Sequence, residues 1–401
     1  MQQEEKDLTP AMIQYYELKE QNSDAILFFR MGDFYEMFDD DAIIANKILG
    51  IAVTSRNKNA IKPTPLAGIP FHAKEKYLPM LIEAGYKVAI AEQISDPNLK
   101  GIVKREVIRV VTPATIGLEG ENYETNNSNI ISITNTQNKY GLSILNIGEN
   151  KWKTCEFNDF ESLQSELIKV GPKEVVIEKK LFGDEKIKQT LEKKYMLNIY
   201  FFETKKDSYK HLVSHFQTTN LIGFGIENYS EAIRASSMLL EYLTTNQKAD
   251  FDFLKSISYL DLNNFLSLDD STIKSLDLVY NIATKSTKEG TLFGILNKTK
   301  TIGGSNLLYE SILKPLNDIV KIEKRQDFVE AFLNDKILLD KVRTKLQSVS
   351  NINGILNRIA LNRTTPRDLI NLKNSLKSLL EIIETIKKSD NKKLRDLINE
   401  V

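Results

Sequence analysis

Apolar and polar positions along the first third of the chain fall into short blocks of changing period. Ile26-Leu27-Phe28-Phe29-Arg30-Met31 is an aromatic-rich apolar run that reads as a buried strand; Gly32 breaks it, and Phe34 to Phe38 brings a second aromatic cluster beside Asp33 and Glu36. Before it, Thr9-Pro10 predicts an N-cap and a first helical position, with Met12, Ile13, Tyr16 and Glu17 at helical spacing and Asn22-Ser23-Asp24 as the end. After it, Asp39-Asp40-Asp41 offers cap and dipole charge to a helix carrying Ile43, Ile44, Lys47 and Ile48, closed by Gly50. The stretch from Ile51 to Phe71 reads as a loop, with Pro63, Pro65, Gly68 and Pro70 as breakers and Arg56, Lys58 and Lys62 as a small basic cluster. A helix over Ala73 to Ala84, stopped by Gly85, buries Tyr77, Leu78, Leu81 and Ile82, and strands follow at Lys87 to Glu92 and Glu106 to Val111. Thr112-Pro113 closes this block.

Residues 118–129 are acidic, Asn-rich and aperiodic, which predicts a linker. Strands then follow at Ile130 to Thr134, Tyr140 to Ile147 and Lys151 to Phe157, the last two joined by a turn at Gly148-Glu149-Asn150. Asn158 with Glu161 reads as a capping box for a helix burying Phe160, Leu163, Leu167 and Ile168, and Gly171-Pro172 leads to a strand at Glu174 to Glu178. A strand at Leu197 to Phe202, a helix from Glu231 to Leu243 and a short apolar stretch at Ile257 to Leu262 complete the alternation. Beyond residue 265 the pattern is helical, with Ser271, Ser305, Asp318 and Thr365 as caps and Pro315 and Pro366 as punctuation. In the last long helix Leu369, Leu372, Leu376, Leu379, Ile383 and Ile386 make a heptad seam widened by Leu380, the signature of a rod packed on a rod. The expectation is a multidomain chain: mixed α/β over 1–117, a linker over 118–129, α/β over 130–255 and all-α over 256–401.

Composition narrows the function classes. The chain has 401 residues, 41% hydrophobic and 27% charged, so it is globular and long enough for several cores. Lys+Arg and Asp+Glu both number 54; with no long-range positive field, any nucleic-acid contact must come from a local patch or from shape. The lone Cys155 excludes an internal disulfide framework and a thiolate zinc site and fits a reducing compartment. There is no apolar leader after Met1 and no run near the roughly 18–20 apolar residues that span a bilayer, so the expectation is a cytoplasmic protein without membrane contact.

Catalytic patterns do not emerge. No glycine pair precedes Lys-Ser or Lys-Thr at P-loop spacing. His211 and His215 share a helical face without the glutamate of a metalloprotease motif or a third ligand, and no G-x-S-x-G elbow accompanies the three histidines. No catalytic residue, metal ligand or cofactor is therefore expected in this chain. The stretch from Asp33 to Phe38 keeps two readings open: a second strand with Phe34, Glu36 and Phe38 on one face and Tyr35 and Met37 on the other, or an exposed ring that stacks on a planar partner beside a hydrogen-bonding carboxylate.

Several motifs in order resemble one family. Thr9-Pro10-Ala11-Met12-Ile13-Gln14-Tyr15-Tyr16, Phe28-Phe29-Arg30-Met31-Gly32-Asp33-Phe34-Tyr35-Glu36, Asp41-Ala42, Ala67-Gly68-Ile69-Pro70-Phe71-His72 and Glu92-Gln93-Ile94-Ser95-Asp96-Pro97 are similar to the amino-terminal part of the MutS family of DNA mismatch repair proteins. Glu289-Gly290-Thr291-Leu292, Lys314-Pro315-Leu316, Arg325-Gln326 and Arg363-Thr364-Thr365-Pro366-Arg367-Asp368-Leu369 resemble its helical core. The resemblance implies a mismatch-binding domain, a ribonuclease-H-like connector and a helical lever core. It implies that Phe34 wedges into the duplex at a mispair and Glu36 hydrogen-bonds the mispaired base, with Met31, Asp33 and Arg56 as neighbours on the DNA and Arg105 as a further phosphate contact. The implied partners are double-stranded DNA with mispairs or small loops and a MutL-like repair partner on the connector. Clamp and ATPase domains, the latter with ATP and Mg, complete the family pattern. The expectation is accordingly a fragment of a longer protein, ending inside the lever region, or a short relative without the motor. Full-length members are homodimers, and this chain alone is expected to be a monomer or weak dimer. One departure is Asn306, where the family usually has an arginine.

Overall fold

The structure, a computed structural model of the chain, describes residues 9–56, 63–95, 103–116, 129–137, 139–194, 197–247, 251–281, 283–284, 286–389 and 391–399. Lys58 and Lys62 of the basic cluster, Asp96-Pro97 and the linker up to residue 128 lie outside the described residues. The chain divides into two compact units, Met1–Thr125 with Leu240–Phe251, and Asn126–Leu239 with Asp252–Val401.

The first unit runs α1 (Pro10–Gln21), β1 (Ala25–Met31), β2 (Phe34–Phe38), α2 (Asp39–Leu49), β3 (Val53–Ser55), β4 (Pro65–Pro70), α3 (Lys74–Glu83), β5 (Lys87–Gln93) and β6 (Arg105–Val111). Its sheet has the order β3-β4-β2-β1-β5-β6, with β1 and β5 parallel and the other neighbours antiparallel. Helices cover both faces, so β1 is buried on both sides and reads as an unbroken apolar run. Met12 and Tyr15 of α1 lie over Leu27, Phe29 and Phe38; Ala42, Ala45, Leu78 and Leu81 of α2 and α3 lie over Ile26, Phe28, Tyr35 and Met37.

Two local expectations are corrected here. The stretch read as a loop contains β3 and β4, because Pro65 and Pro70 occupy the first and last positions of β4, where a missing N–H is tolerated. The Asp39-Asp40-Asp41 run supplies dipole charge but no cap: Phe38 is the N-cap residue and makes no capping bond. Asp41 instead turns inward and accepts from the Leu27 amide at 2.9 Å, Lys19 Nζ at 2.8 Å and Tyr15 OH at 3.3 Å. A buried carboxylate with three donors ties α1, β1 and α2 together.

The second unit begins with β7 (Asn129–Thr136), β8 (Lys139–Asn146), β9 (Lys151–Phe157), α4 (Phe160–Val170), β10 (Glu174–Ile177), α5 (Lys179–Phe182), α6 (Glu185–Lys188), β11 (Asn198–Phe201), α7 (Ser208–Phe216), the part of α8 (Ser230–Gln247) up to Leu239, and β12 (Ser258–Tyr259). Its sheet order is β11-β10-β7-β8-β9-β12: an antiparallel meander β7-β8-β9 extended by parallel β10 and β11, the ribonuclease-H-like arrangement expected. On one face Leu163, Leu167 and Val170 of α4 pack on Ile131, Ile133, Leu142, Cys155 and Val175. The other face is a polar seat for α8. Ser132 Oγ donates to the Ala235 carbonyl at 2.6 Å and Thr134 Oγ1 to that of Glu231 at 3.2 Å, while Thr154 Oγ1 lies between the Leu142 carbonyl of its own sheet at 2.9 Å and the Ala232 carbonyl of the helix at 3.1 Å. Gly141 lies directly under the helix, where a Cβ would collide with the Glu231 carbonyl.

Helices follow: α9 (Asp270–Ser275), α10 (Leu292–Leu296), α11 (Ile302–Leu313), α12 (Ile319–Asn334), α13 (Lys336–Leu346), α14 (Ile352–Ala360), α15 (Pro366–Lys387) and α16 (Lys392–Asn399). Asp318 and Thr365 cap as read, the latter in a full capping box with Asp368. Elsewhere the cap sits at a neighbouring acceptor whose backbone is extended: Asp159 rather than Asn158, Asp269 rather than Ser271, Thr301 rather than Ser305. The seam of α15 is rotated from the leucine heptad. Asp368, Ser375, Ile382 and Ile386 are buried, whereas Leu369, Leu376 and Leu380 are exposed. Asp368 pairs with buried Arg358 and Ser375 Oγ accepts from the Ser350 amide at 2.9 Å, so satisfied polar groups take interior places that apolar periodicity assigns to leucine. Asn306 of α11 donates to Glu149 at the β8–β9 turn. Among the described residues no helix is long and apolar enough to cross a membrane.

Because α8 rests on backbone at Gly141, Gly141→Ala is expected to overpack this seat and destabilise the second unit by about 1–3 kcal/mol. A lower urea midpoint at unchanged m-value is the measurement that checks it.

Candidate nucleic-acid interface

The β1–β2 hairpin pairs Phe29 with Glu36, Arg30 with Tyr35 and Met31 with Phe34, which leaves Gly32-Asp33 as a two-residue turn. Gly32 has φ +58° with open space around the missing Cβ, so the turn's conformation, and not crowding, requires glycine. The first reading of this stretch holds, and of the second the exposed ring is present. It is a strand, with Tyr35 and Met37 in the core beneath α2 and α3 and with Phe34, Glu36 and Phe38 on the opposite face. On that face cover fades toward the turn: Phe38 is buried against Tyr15 at 4.7 Å between ring centroids, Glu36 is half-buried, and Phe34 is 47% exposed.

Glu36 Oε2 lies 3.3 Å from Arg56 Nη1, and the Arg56 guanidinium sits 5.6 Å from the Phe38 ring centroid. Burial pushes the Glu36 carboxyl above its ordinary range, and Arg56 and then Arg105 pull against it. Arg105, the further candidate for phosphate contact, is turned largely inward. It is 9% exposed, and its Nε donates to the Arg30 carbonyl at 2.6 Å and its Nη1 to the Val103 carbonyl at 2.9 Å. Its guanidinium lies 5.0 Å from the Phe29 ring centroid, which makes it an internal brace for β1. Met31 is half-buried and Asp33 is exposed at the turn.

Sequence reading passed over Arg30 and Phe71. The Arg30 guanidinium lies 3.7 Å from the Phe71 ring centroid, and its Nε donates to the Gly32 carbonyl. The Phe71 amide donates to the Asp33 carbonyl at 2.9 Å, and its ring is 41% exposed with His72 set edge-on at 5.8 Å. The signal lay in the strand register: Pro70 pairs with Phe34, so the residue after β4 must lie beside the turn, and this was invisible while β4 was read as loop.

His211 and His215 are engaged by the protein. His211 Nδ1 lies 2.8 Å from Ser237 Oγ, and His215 Nε2 lies 2.9 Å from the Leu254 carbonyl. Among the described residues no group of three or more His, Cys, Asp or Glu side chains converges as a metal site.

Family models match three successive stretches: MutS domain I over residues 9–119, MutS domain II over 128–258 and MutS domain III over 271–401. Curated relatives match along nearly the whole chain. The DNA mismatch repair protein MutS of Methanococcoides burtonii is 37% identical over 387 residues, covering 94% of this chain and 44% of the relative. That of Thermodesulfovibrio yellowstonii is 38% identical over 389 residues (96% and 44%), and that of Halothermothrix orenii 36% identical over 398 residues (97% and 44%). The chain thus spans less than half the length of these relatives.

From the geometry alone, the Glu36 carboxyl is expected to titrate above an ordinary glutamate and to move higher still in Arg56→Gln, since the opposing cation is lost. Carbon-detected NMR titration of the side-chain carboxyl checks both shifts.

Proposed function

The chain belongs to the MutS family of DNA mismatch repair proteins, and from that premise we propose that it binds duplex DNA at mispairs, with Phe34 as the ring that enters the base stack and Glu36 as the group that hydrogen-bonds the displaced base. The observation that carries this reading is an aromatic side chain, 47% exposed, on the outer face of a short, well-braced hairpin whose neighbouring carboxyl is half-buried. Unstacking a base step costs on the order of a few kcal/mol and least where pairing is already broken, so a wedge selects mispairs through deformability. A carboxylate among backbone phosphates opposes tight binding to matched duplex, which lends discrimination at some cost in affinity.

The protonation state of Glu36 belongs to the same mechanism. Burial already favours its neutral form, and the negative potential of DNA acts in the same direction. A neutral carboxyl can donate a hydrogen bond to an acceptor on the base. Because the carboxyl's pKa is raised, the neutral fraction grows as pH falls, so mispair affinity rises on the acid side.

A second reading concerns the second sheet. There β11 is the edge strand and Phe201 on it is 50% exposed, so a backbone edge and an apolar ring are offered together. We assign this edge to docking of a MutL-like repair partner. Pull-down with that partner is expected to succeed and to fail with Phe201→Glu; no capture by the unsubstituted chain overturns the assignment.

For the wedge, fluorescence anisotropy on duplexes with and without one mispair is the test. Phe34→Ala is expected to cost roughly 5- to 150-fold in mispair affinity, the value of ~1–3 kcal/mol for a stacked base, with little change on matched DNA. Glu36→Gln is expected to flatten the pH dependence. Retention of the mispair preference by Phe34→Ala would falsify the wedge role.

A further inference from the structure

Arg30 has no role in the reading above. It lies on the opposite face of the hairpin from Phe34, because it shares the strand parity of Phe28 and Tyr35 whereas Phe34 shares that of Glu36 and Phe38. Its position is fixed in three ways. The backbone carbonyl is held by Arg105 Nε at 2.6 Å, the side-chain Nε donates to Gly32, and the guanidinium plane stacks on Phe71 with 3.7 Å to the centroid. Phe71 is itself tied to the turn by its amide bond to Asp33. The two terminal nitrogens of Arg30 make no hydrogen bond or ion pair among the described residues. An arginine anchored through Nε and stacked on a ring, with both Nη groups unused, has the fork geometry that recognises a phosphate bidentately.

The contrast with Arg56 sharpens this. Arg56 is on the Phe34 and Glu36 side and spends a nitrogen on Glu36. Arg105 is buried and committed to backbone carbonyls. Of the three arginines around the turn, Arg30 alone is both fixed and uncommitted at its tip. We propose that Arg30 binds a backbone phosphate of the duplex on the far side of the hairpin from Phe34, so that the wedge is seated from one face while the base is read from the other. This rests on the DNA-binding reading of the same hairpin and adds to it the group that holds the strand.

The phosphate role has a readout that a merely structural role would not move. Neutralising one phosphate contact changes the slope of log K against log salt by about 0.9. Binding of the full 401-residue chain to matched and mispaired duplexes across a salt series is therefore measured for the unsubstituted protein, Arg30→Gln, Arg30→Lys and Phe34→Ala. Arg30→Gln is expected to lower the slope by about one unit on both duplexes, with the ratio of mispaired to matched affinity kept. Arg30→Lys is expected to keep the slope, since a point charge remains, and to bind more weakly because the fork is lost. An unchanged slope in Arg30→Gln, or a slope lowered equally in Arg30→Lys, overturns the proposal. If Phe34→Ala loses the mispair preference while Arg30→Gln keeps the full slope, the wedge stands and the phosphate contact falls. If Phe34→Ala keeps the preference while Arg30→Gln lowers the slope, the phosphate contact stands and the wedge falls. Failure of the unsubstituted chain to bind DNA overturns both.

Discussion

Strand register between β1 and β2 is the constraint on which the rest of the site depends. A slip of one residue would carry Phe34 and Glu36 into the core and bring Tyr35 and Met37 to the surface, since side chains alternate faces along a strand. Several features fix that register at once. Gly32 accepts the left-handed conformation of the turn, Tyr35 and Met37 are bound into the core under α2 and α3, and Phe38 is locked against Tyr15. Arg105 adds a bond to the Arg30 carbonyl, next to last in β1, so both arms of the hairpin are braced from inside. An exposed ring on such a support loses little further entropy when it meets a partner.

Electrostatics at this hairpin work through a shortage of solvent more than an abundance of charge. With equal numbers of acidic and basic residues, the chain carries no net charge, so what counts is the local arrangement of charges. Burial pushes the Glu36 carboxyl toward its neutral form, and Arg56 pulls against it. The same arginine that moderates Glu36 is less available to phosphate for doing so, whereas Arg30 is held in place without consuming its terminal nitrogens.

Much of this was legible in the residues. The buried strand at Ile26 to Met31, the break at Gly32, the helices α2 and α3, the β7–β8–β9 meander and the cap at Thr365 all follow from local period and cap chemistry. What escaped had nonlocal causes. Pro65 and Pro70 suggested a loop because a proline's cost depends on where it sits in the sheet, and that is known only once β4 has partners. The bracing role of Arg105 was not legible because one-dimensional patterns do not show that two backbone carbonyls await its guanidinium. The leucine heptad of α15 failed for the converse reason: Asp368 and Ser375 are interior because specific partners satisfy them, a property of the fold and not of their hydropathy. The partnership of Arg30 with Phe71 shares this origin, since it joins residues brought together by the register of three strands.

The seat of α8 has a mechanical consequence. Two buried hydroxyls, Ser132 and Thr134, each donate to a different carbonyl on one helix, at Ala235 and Glu231. An apolar interface tolerates sliding, because one methyl substitutes for another along the way. Here a shift by a single 1.5 Å helical step would leave each donor facing no acceptor, at about 1–3 kcal/mol apiece, before any repacking could compensate. The joint is therefore keyed like a gear tooth: this part of α8 and the strands beneath it behave as a single stiff plate, and any yielding in that layer must occur in the connecting loops rather than by shear between helix and sheet.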